Sequence, residues 1–279
     1  MVRLKRIIGI LLFCVLLCVL LTGCNSDNEK NYQSIEDFSN SQIGVLTGSS
    51  HESLARTTFP DADLVFFNST TDMLISLEQG KIDCFLYEAP SLQAMLWDGA
   101  DVGRVDEPLT QIANGFAFPQ NEEIRHLQEE FNTFLQQAKT DGSIDQLKQK
   151  WLSNTEPTIH PDYKSLPGEN GTIRLVVCSG SKPLIYRFED QYTGFEIDLL
   201  TLFGQQYGYN FIIDDVSFNA VIAGIISGKY DMAAAALNIT PEREESIDFS
   251  LPYSEFDIVL IIKNNIHPVI GCEVYVAPR

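Results

Sequence analysis

The chain has 279 residues, enough for one large domain or two small ones, and its 44% hydrophobic and 20% charged residues are ordinary for a globular protein. Its formal net charge is −19. Residues 1–23 contain basic residues but no acidic ones, so the part from residue 24 onward carries −22. A surface this acidic repels nucleic acid and anionic lipid headgroups, so nucleic acid is excluded as a partner.

Cysteine and histidine are sparse and scattered. Cys84 and Cys178 each lie in an apolar run and are predicted to be small core residues, far from Cys272. The four histidines fall in polar or loop stretches, and His51 is predicted at the surface. The sequence shows no metal-ligand spacing, no nucleophile–His–acid set and no Gly-rich phosphate loop. We therefore expect no metal, no cofactor and no enzymatic activity.

Residues 1–23 are predicted to be a lipoprotein signal peptide. A positive stretch at residues 3–6 precedes the apolar run Ile7–Leu21, which is short for a membrane span. The next residues, Leu21-Thr22-Gly23-Cys24, resemble the lipobox of bacterial lipoproteins, which implies cleavage before Cys24 and its lipidation, for instance with palmitate. An uncleaved anchor is the alternative, and both place the body outside the cytoplasm. Residues 24–33 are polar and predicted to be a flexible tether.

Strand and helix patterns alternate along residues 34–153. Short apolar runs predict strands, and apolar residues spaced three or four apart predict helices. The predicted strands are Gln42–Leu46, Leu64–Phe67 and Lys81–Tyr87, and the predicted helices are Thr71–Glu78, Glu122–Gln137 and a shorter one that ends near Trp151.

A linker is predicted at residues 154–170, which contain three prolines and little periodicity. The alternation resumes over residues 171–263, with predicted strands at Ile173–Cys178, Tyr209–Ile213, Asp231–Leu237 and Phe256–Lys263 and helices at Phe195–Tyr207 and Asn219–Ser227. This alternation predicts an α/β fold of mainly parallel sheets flanked by helices. Ligands of such sheets bind beyond the carboxyl ends of the strands.

Five spaced motifs mark residues 171–263. They are the opening strand, Thr193-Gly194-Phe195-Glu196-Ile197-Asp198-Leu199, Ser227-Gly228-Lys229-Tyr230-Asp231, Asn238-Ile239-Thr240-Pro241-Glu242-Arg243, and Ile247-Asp248-Phe249-Ser250 with Pro252-Tyr253. In this order they resemble the first half of bacterial extracellular solute-binding protein family 3, the polar amino acid receptors of ABC importers.

A second set of motifs, in residues 34–153, resembles the second half of the same family. They are Ser34-Ile35-Glu36-Asp37-Phe38, Ile43-Gly44-Val45-Leu46-Thr47-Gly48-Ser49, Gly80-Lys81-Ile82-Asp83, and Asp141-Gly142-Ser143 with Trp151. The resemblance implies a two-lobed fold of the type II periplasmic-binding-protein kind. Lobe 2 is expected at about residues 34–114, after which the chain returns to lobe 1.

The halves therefore stand in swapped order, which has two explanations. The chain is a circular permutant in which residues 154–170 join the family's original ends, or it is a truncated piece of a longer tandem receptor. Residues 264–279 form an atypical tail that resembles nothing in the family and suggests truncation or a frameshift. In the alternative fold, two half-domains do not close on each other.

The resemblance assigns the ligand α-carboxylate to Arg243, because a planar guanidinium holds a carboxylate with two charge-assisted hydrogen bonds. The alternative for Arg243 is a surface arginine beside acidic neighbours. Asn238 and Thr240 lie on the same loop as further carboxylate donors. Thr240 also fits the N-cap of a helix that starts at Pro241.

Ser49, Ser50 and Glu88 are the expected contacts on the other lobe. The two serines open a helix, whose free N–H groups attract anions, and a purely capping role is the alternative. Glu88 ends a predicted strand where family members usually place an aspartate for the ligand α-ammonium. Glutamate keeps the charge but is one methylene longer, and an exposed acid is the alternative.

Two positions after the opening strand depart from the family. Family members often place an acid and an aromatic residue there, whereas this chain has Cys178 and Ser181. Phe218 and Tyr186 are possible substitutes for the missing ring, although both are predicted to be core residues. The departure argues against high affinity.

Together these features predict a lipid-anchored solute-binding protein that captures a small polar amino acid or related zwitterion. Closure of the lobes about a hinge would bury the ligand, as in other periplasmic binding proteins. The closed form would then dock on an ABC-transporter permease. The alternatives are a ligand-sensing module of a longer receptor and a nonfunctional truncated fragment.

Overall fold

The structure, a computed structural model, describes Tyr32 and residues 34–264, which belong to one compact unit that begins at Tyr32. The predicted signal peptide lies outside the described residues, and so does the predicted lipidation site Cys24. The tether is described only at Tyr32, and the tail only at Asn264. None of the described helices combines the length and apolarity needed to cross a bilayer.

The first part of the described chain alternates strands and helices around two inner strands. Only the first residue of Gln42–Leu46 is exposed, and Cys84–Glu88 is buried throughout, as expected for apolar runs covered on both faces. In chain order the elements are a 3₁₀ turn (Ile35–Phe38), β1 (Gln42–Leu46), α1 (Ser50–Thr58), β2 (Asp63–Phe67), α2 (Thr70–Glu78), β3 (Cys84–Glu88), α3 (Ala89–Trp97), β4 (Val102–Arg104) and β5 (Thr110–Asn114).

The rest of the chain begins with a three-residue strand and two amphipathic helices. Its elements are β6 (Ala117–Pro119), α4 (Glu122–Thr140), α5 (Ser143–Trp151), a 3₁₀ turn (Tyr163–Ser165), β7 (Gly171–Val177), β8 (Gly180–Ser181), β9 (Ile185–Phe188), β10 (Gln191–Thr193), α6 (Phe195–Tyr207), β11 (Tyr209–Asp215), α7 (Phe218–Ile226), β12 (Met232–Ala234), α8 (Pro241–Glu244), β13 (Ile247–Phe249) and β14 (Ser254–Lys263). The predicted helix 195–207 is present with these bounds.

Two main sheets organise these strands. The first has the order β2-β1-β3-β14-β4, with β5 also paired to β14, and the second has the order β11-β7-β12-β6-β13. A small third sheet has the strand order β10-β9-β8, and its strands follow β7 in the sequence. We call the part built on the first sheet with α1–α3 lobe 2, and the part built on the second with α4–α8 lobe 1. The predicted segments 34–153 and 171–263 each contribute strands to both sheets.

Both sheets are mixed, so the expectation of mainly parallel sheets was wrong. The strands β2, β1 and β3 run parallel, and so do β11, β7 and β12. By contrast, β14 is antiparallel to its partners in lobe 2, and β6 is antiparallel to its partners in lobe 1. The reason is that β6 and β14 each enter their sheet directly from the other lobe rather than through a helical crossover.

Two adjacent connections carry the chain between the lobes. The first leaves β5 at Asn114, the second reaches β14 at Ser254, and these two residues are register partners in the antiparallel pair. The backbone N–H of Tyr253 donates to the Asn114 carbonyl at 3.0 Å, and the N–H of Gly115 donates to Leu237 O at 3.0 Å. The crossings therefore share one hydrogen-bonded region at the junction of the lobes.

The segment predicted as a linker, 154–170, is packed against lobe 1 rather than loose. Tyr163 and Leu166 are 9% and 8% exposed and belong to the same core cluster as Trp151. Trp151 is fully buried, and its indole N–H donates to Asp198 Oδ2 at 2.9 Å. The prolines and weak periodicity predicted a linker, and the apolar residues between the prolines cover the end of α6.

Candidate ligand-binding site

The six predicted ligand contacts lie together where the lobes meet. Ser49, Ser50 and Glu88 come from lobe 2, at the carboxyl ends of β1 and β3. Asn238, Thr240 and Arg243 come from lobe 1, on the loop after β12 and on α8. Hydrogen bonds join the two groups: Ser50 Oγ donates to Asn238 Oδ1, and Asn238 Nδ2 donates to Glu88 Oε1 at 3.2 Å.

Arg243 is positioned by the short helix α8. Thr240 is its N-cap and accepts from the Arg243 N–H at 3.4 Å, with Pro241 at the first helical position, so the predicted cap is present. The guanidinium donates to the Asn238 carbonyl at 2.8 Å and lies 5.5 Å from the centre of the Phe218 ring. Burial lowers the pKa of Arg243, whereas the negative charges of Glu88 and Glu242 act to raise it. The guanidinium remains a cation.

Arg243 also reaches the other lobe at the N-terminus of α1. Its Nη2 lies 3.5 Å from the carbonyl oxygen of Gly48. Gly48 has φ +74°, and a Cβ there would stand 2.2 Å from the Asn219 side chain of lobe 1. Only glycine permits this approach of the backbone to the opposite lobe.

Ser49 has the most telling environment in the cleft. It precedes α1 in extended conformation, but its side chain makes no capping hydrogen bond. It is 8% exposed, and among the described residues its Oγ has no hydrogen-bond partner. Ser49 lines a cavity of about 740 Å³ together with Ser50, Phe218, Thr240 and Arg243. A buried hydroxyl without a partner is costly, and a polar ligand in this cavity would supply one.

Glu88 and His51 form a buried pair behind the serines. Each is 3% exposed, and His51 Nε2 lies 3.4 Å from Glu88 Oε1. Burial alone would raise the pKa of Glu88, but the electrostatic interaction with His51 and hydrogen bonds from the backbone and Asn238 outweigh it, so this pKa lies below its usual range. The expectation of a surface His51 was wrong, because the first turn of α1 directs it toward Glu88 and Tyr87. The alternative of an exposed Glu88 is likewise excluded.

A second, smaller cavity of about 120 Å³ lies on the other side of the cleft. Tyr87 lines it and accepts from Thr70 Oγ1 at 2.9 Å, while Tyr87 OH and Ser181 Oγ are 3.1 Å apart. Lys182 at its edge is 2.7 Å from Asp98 of lobe 2 and 2.8 Å from Glu156 of the segment predicted as a linker. These polar contacts were not predicted from the sequence.

The positions that depart from the family lie at or near this second cavity. Ser181 of lobe 1 is buried against Tyr87 of lobe 2. Cys178 is only partly buried and packs at the margin of a core cluster, whereas Cys84 is fully buried as predicted. Phe218 and Tyr186 are 9% and 6% exposed and belong to the core, although Phe218 also lines the large cavity.

Asn114 is a further buried polar residue that sequence reasoning missed. It is fully buried at the lobe crossing, where its Nδ2 donates to Ala236 O at 3.1 Å and its Oδ1 accepts from Asn238 Nδ2 at 3.3 Å. Within residues 34–264, no group of three or more His, Cys, Asp or Glu side chains is arranged to hold a metal ion.

The described residues form a two-lobed α/β protein with paired crossings and a polar cleft between the lobes. Residues 173–269 match the model of the bacterial extracellular solute-binding proteins, family 3, so this segment of the chain is similar to that family. The matched segment corresponds to the one that resembles the family's first half. The early segment, 34–153, lies outside the match.

Individual relatives are each similar to about a third of the chain. A probable histidine-binding protein of Campylobacter jejuni is 32% identical over 34% of this chain and 37% of its own length. An arginine-binding extracellular protein of Bacillus subtilis is 27% identical over 35% of this chain and 39% of its own. The structure of an ancestral cationic amino acid solute-binding protein is 32% identical, covers 31% of this chain and 38% of that chain, and gives a TM-score of 0.29. The chain thus spans about two fifths of the length of these relatives.

Proposed function

We propose that the protein is an extracytoplasmic solute-binding protein that captures an amino-acid-like ligand between its lobes for an ABC importer. The match of residues 173–269 to the family 3 model supports the class, and the relatives named above are described as binding histidine or arginine. The ligand is a small polar amino acid or a related zwitterion. A permease in the cytoplasmic membrane would receive the closed, loaded form.

One observation carries the proposal: Arg243 and the partnerless hydroxyl of Ser49 line the same cavity from opposite lobes. A carboxylate between them would accept charge-assisted bonds from the guanidinium and a hydrogen bond from Ser49. The N-terminus of α1 adds a favourable dipole for an anion. Ser50 and Thr240 line the same space and are proposed as further donors.

Glu88 is the proposed partner of the ligand α-ammonium. It is buried, is stabilised as a carboxylate and lies on lobe 2 behind the serines. A zwitterion with its carboxylate at Arg243 and its ammonium at Glu88 would touch both lobes. Such a ligand binds the closed form better than the open one, and this differential affinity drives closure.

Anchoring and segment order remain proposals that rest on sequence. Lipidation of Cys24 after removal of residues 1–23 would hold the protein at the outer face of the membrane. The contribution of strands from both segments to both sheets supports a single bilobed unit made from swapped halves. A permuted gene and a truncated tandem receptor both produce this order.

The proposal is tested by calorimetry of the full chain in detergent against each of the twenty amino acids. We expect at least one to bind, and Arg243→Ala to weaken that binding about tenfold to a hundredfold, the usual range for a lost charged hydrogen bond. Arg125→Ala is the matched control, because Arg125 is an exposed arginine paired only with Glu122 one helical turn away. Failure to bind any amino acid, or unchanged binding by Arg243→Ala, would contradict the proposal.

A further inference from the structure

The side chain of Asn238 crosses from lobe 1 and bonds to the polar groups of lobe 2 that the proposed ligand would use. Its Nδ2 donates to Glu88 Oε1 at 3.2 Å, and its Oδ1 accepts from Ser50 Oγ. Asn238 is 4% exposed, so these bonds are shielded from water. The site behind Ser50 is therefore already filled by a group of the protein.

The orientation of this carboxamide follows from its neighbours. Asn114 uses its Nδ2 on the Ala236 carbonyl, which turns its Oδ1 toward Asn238 Nδ2 at 3.3 Å. The nitrogen of Asn238 thus faces two acceptors, and its oxygen faces the Ser50 hydroxyl. A donor presented to Glu88 and an acceptor presented to Ser50 are the same polarity that a zwitterion's ammonium and carboxylate would present.

We propose that Asn238 is an internal occupant of the cleft, which holds the ligand-free lobes together and must be displaced by an incoming amino acid. The displacement step rests on the proposed function, whereas the closure of the ligand-free protein does not. A protein that closes on itself has a smaller fraction of binding-competent molecules, and its apparent affinity falls by that fraction. The hydrogen bonds of Asn238 therefore determine how far the apparent affinity for the amino acid is lowered.

Displacement requires only a side-chain rotation. The backbone on either side of Asn238 is tied to the crossing strand, with Ile239 N–H donating to Ala113 O at 2.8 Å and Gly115 N–H donating to Leu237 O at 3.0 Å. Arg243 meanwhile holds the carbonyl of Asn238 through its Nη1 at 2.8 Å. The loop thus keeps its place while the carboxamide leaves Glu88 and Ser50.

Hydrogen–deuterium exchange of the full chain in detergent, without ligand, tests the closure. We expect Asn238→Ala to speed exchange about tenfold in peptides covering residues 46–53 and 84–92, because its hydrogen bonds to Ser50, Glu88 and Asn114 are lost. Asn238→Asp has the same shape but sets a carboxylate against Glu88, and is expected to expose the same peptides. Asn154→Ala, an exposed asparagine outside the cleft, is the matched control.

Protection that is unchanged in Asn238→Ala would overturn the proposal. Protection retained in Asn238→Asp would reduce Asn238 to a packing role and overturn it as well. With the closure shown, calorimetry tests the displacement: Asn238→Ala is expected to bind the amino acid about tenfold more tightly, because the competing occupant is gone. Weaker or equal binding would instead make Asn238 a ligand contact.

These results separate the two proposals. If neither the wild type nor Asn238→Ala binds any of the twenty amino acids, the proposed function fails, and the exchange result still decides whether Asn238 holds the lobes closed. If the wild type binds and Asn238→Ala binds less, the function stands and the internal occupant is refuted.

Discussion

His51 Nε2 stands 3.4 Å from Glu88 Oε1, and both side chains are buried at the junction of the lobes. The pair keeps the pKa of Glu88 below its ordinary value of 4.5, even though burial acts in the opposite direction. A carboxylate with a depressed pKa adds stability above its unfolded pKa and loses it as the pH falls through the folded pKa. The contribution of Glu88 is therefore present at neutral pH and lost at pH values below about 4.5.

Removing His51 should leave Glu88 as a buried charge without its main compensation. We expect His51→Ala to lower the free energy of unfolding by about 3 kcal/mol at pH 7, and by less at pH 4, where Glu88 can take up a proton. Urea denaturation at the two pH values measures this. His126→Ala is the control, because His126 is exposed on α4. In a double-mutant cycle, Glu88→Gln should recover part of the loss; additive losses would disprove the coupling.

Glu196 gives the opposite dependence on pH. It is fully buried, and burial raises its pKa to about 7 against hydrogen bonds from Tyr253 OH at 2.7 Å and Ala236 N–H at 3.2 Å. An acid with a raised pKa contributes fully below its unfolded value of 4.5 and loses that contribution as the pH rises toward 7.

Glu196→Gln should therefore flatten the pH dependence of stability between pH 4.5 and 7, removing a change of roughly 3 kcal/mol across that interval. The measurement is urea denaturation in steps across the interval. Glu107→Gln, an exposed acid, is the control and should leave the slope unaltered. A slope as steep in Glu196→Gln as in the wild type would rule out this assignment.

Gly194, in the motif that opens α6, should not tolerate a side chain. Its φ is +115°, and a Cβ would lie 2.5 Å from the Leu184 carbonyl oxygen. We expect Gly194→Ala to cost roughly 2–3 kcal/mol, since this backbone conformation is nearly exclusive to glycine. Gly180→Ala is the matched control, because a Cβ there meets nothing within 4 Å. Equal thermal stability of the two variants would show that the geometry at Gly194 is not required.

The contribution of the packed segment 154–170 to stability can be tested with two substitutions inside that segment. Leu166 is 8% exposed and packs over α6, where its Cδ1 would stand 2.7 Å from a Cβ on Gly204. Leu166→Ala should lower the free energy of unfolding by about 2 kcal/mol, the lower end for a buried leucine. Ile159, in the same segment, is 75% exposed, and Ile159→Ala should change stability little. Similar small effects for both would mean that the segment does not contribute to the core.

Long periodic helices and apolar strands were predictable from sequence, and short elements were not. The periodicity of Glu122–Thr140 and the apolar run of Ser254–Lys263 gave these elements within a few residues. α3 was missed because it follows β3 without a break and is apolar on most faces. β6, with three residues, carries no periodicity of its own, and its place follows from pairing with β12 and β13.

The candidate site was likewise predictable from the sequence only in part. The resemblance to the family made Arg243, Ser49 and Glu88 expected ligand contacts, and the fold brings all three to one cleft at strand or helix ends. His51 and Asn114 were not predicted, because their importance comes from contacts across the lobes. A histidine in the first turn of a helix and an asparagine after a short strand are ordinary in sequence. Only the fold sets them beside Glu88 and Asn238.

The register pairing of Asn114 with Ser254 makes lobe 1 a continuous insert in the sequence of lobe 2. Everything from Gly115 to Tyr253 leaves lobe 2 and comes back at neighbouring positions of one antiparallel ladder. A tight turn joining Asn114 to Ser254 would close a miniature protein that keeps all six strands of the first sheet. In this chain order, half of the cleft is encoded by one uninterrupted stretch whose two ends are neighbours in the same sheet.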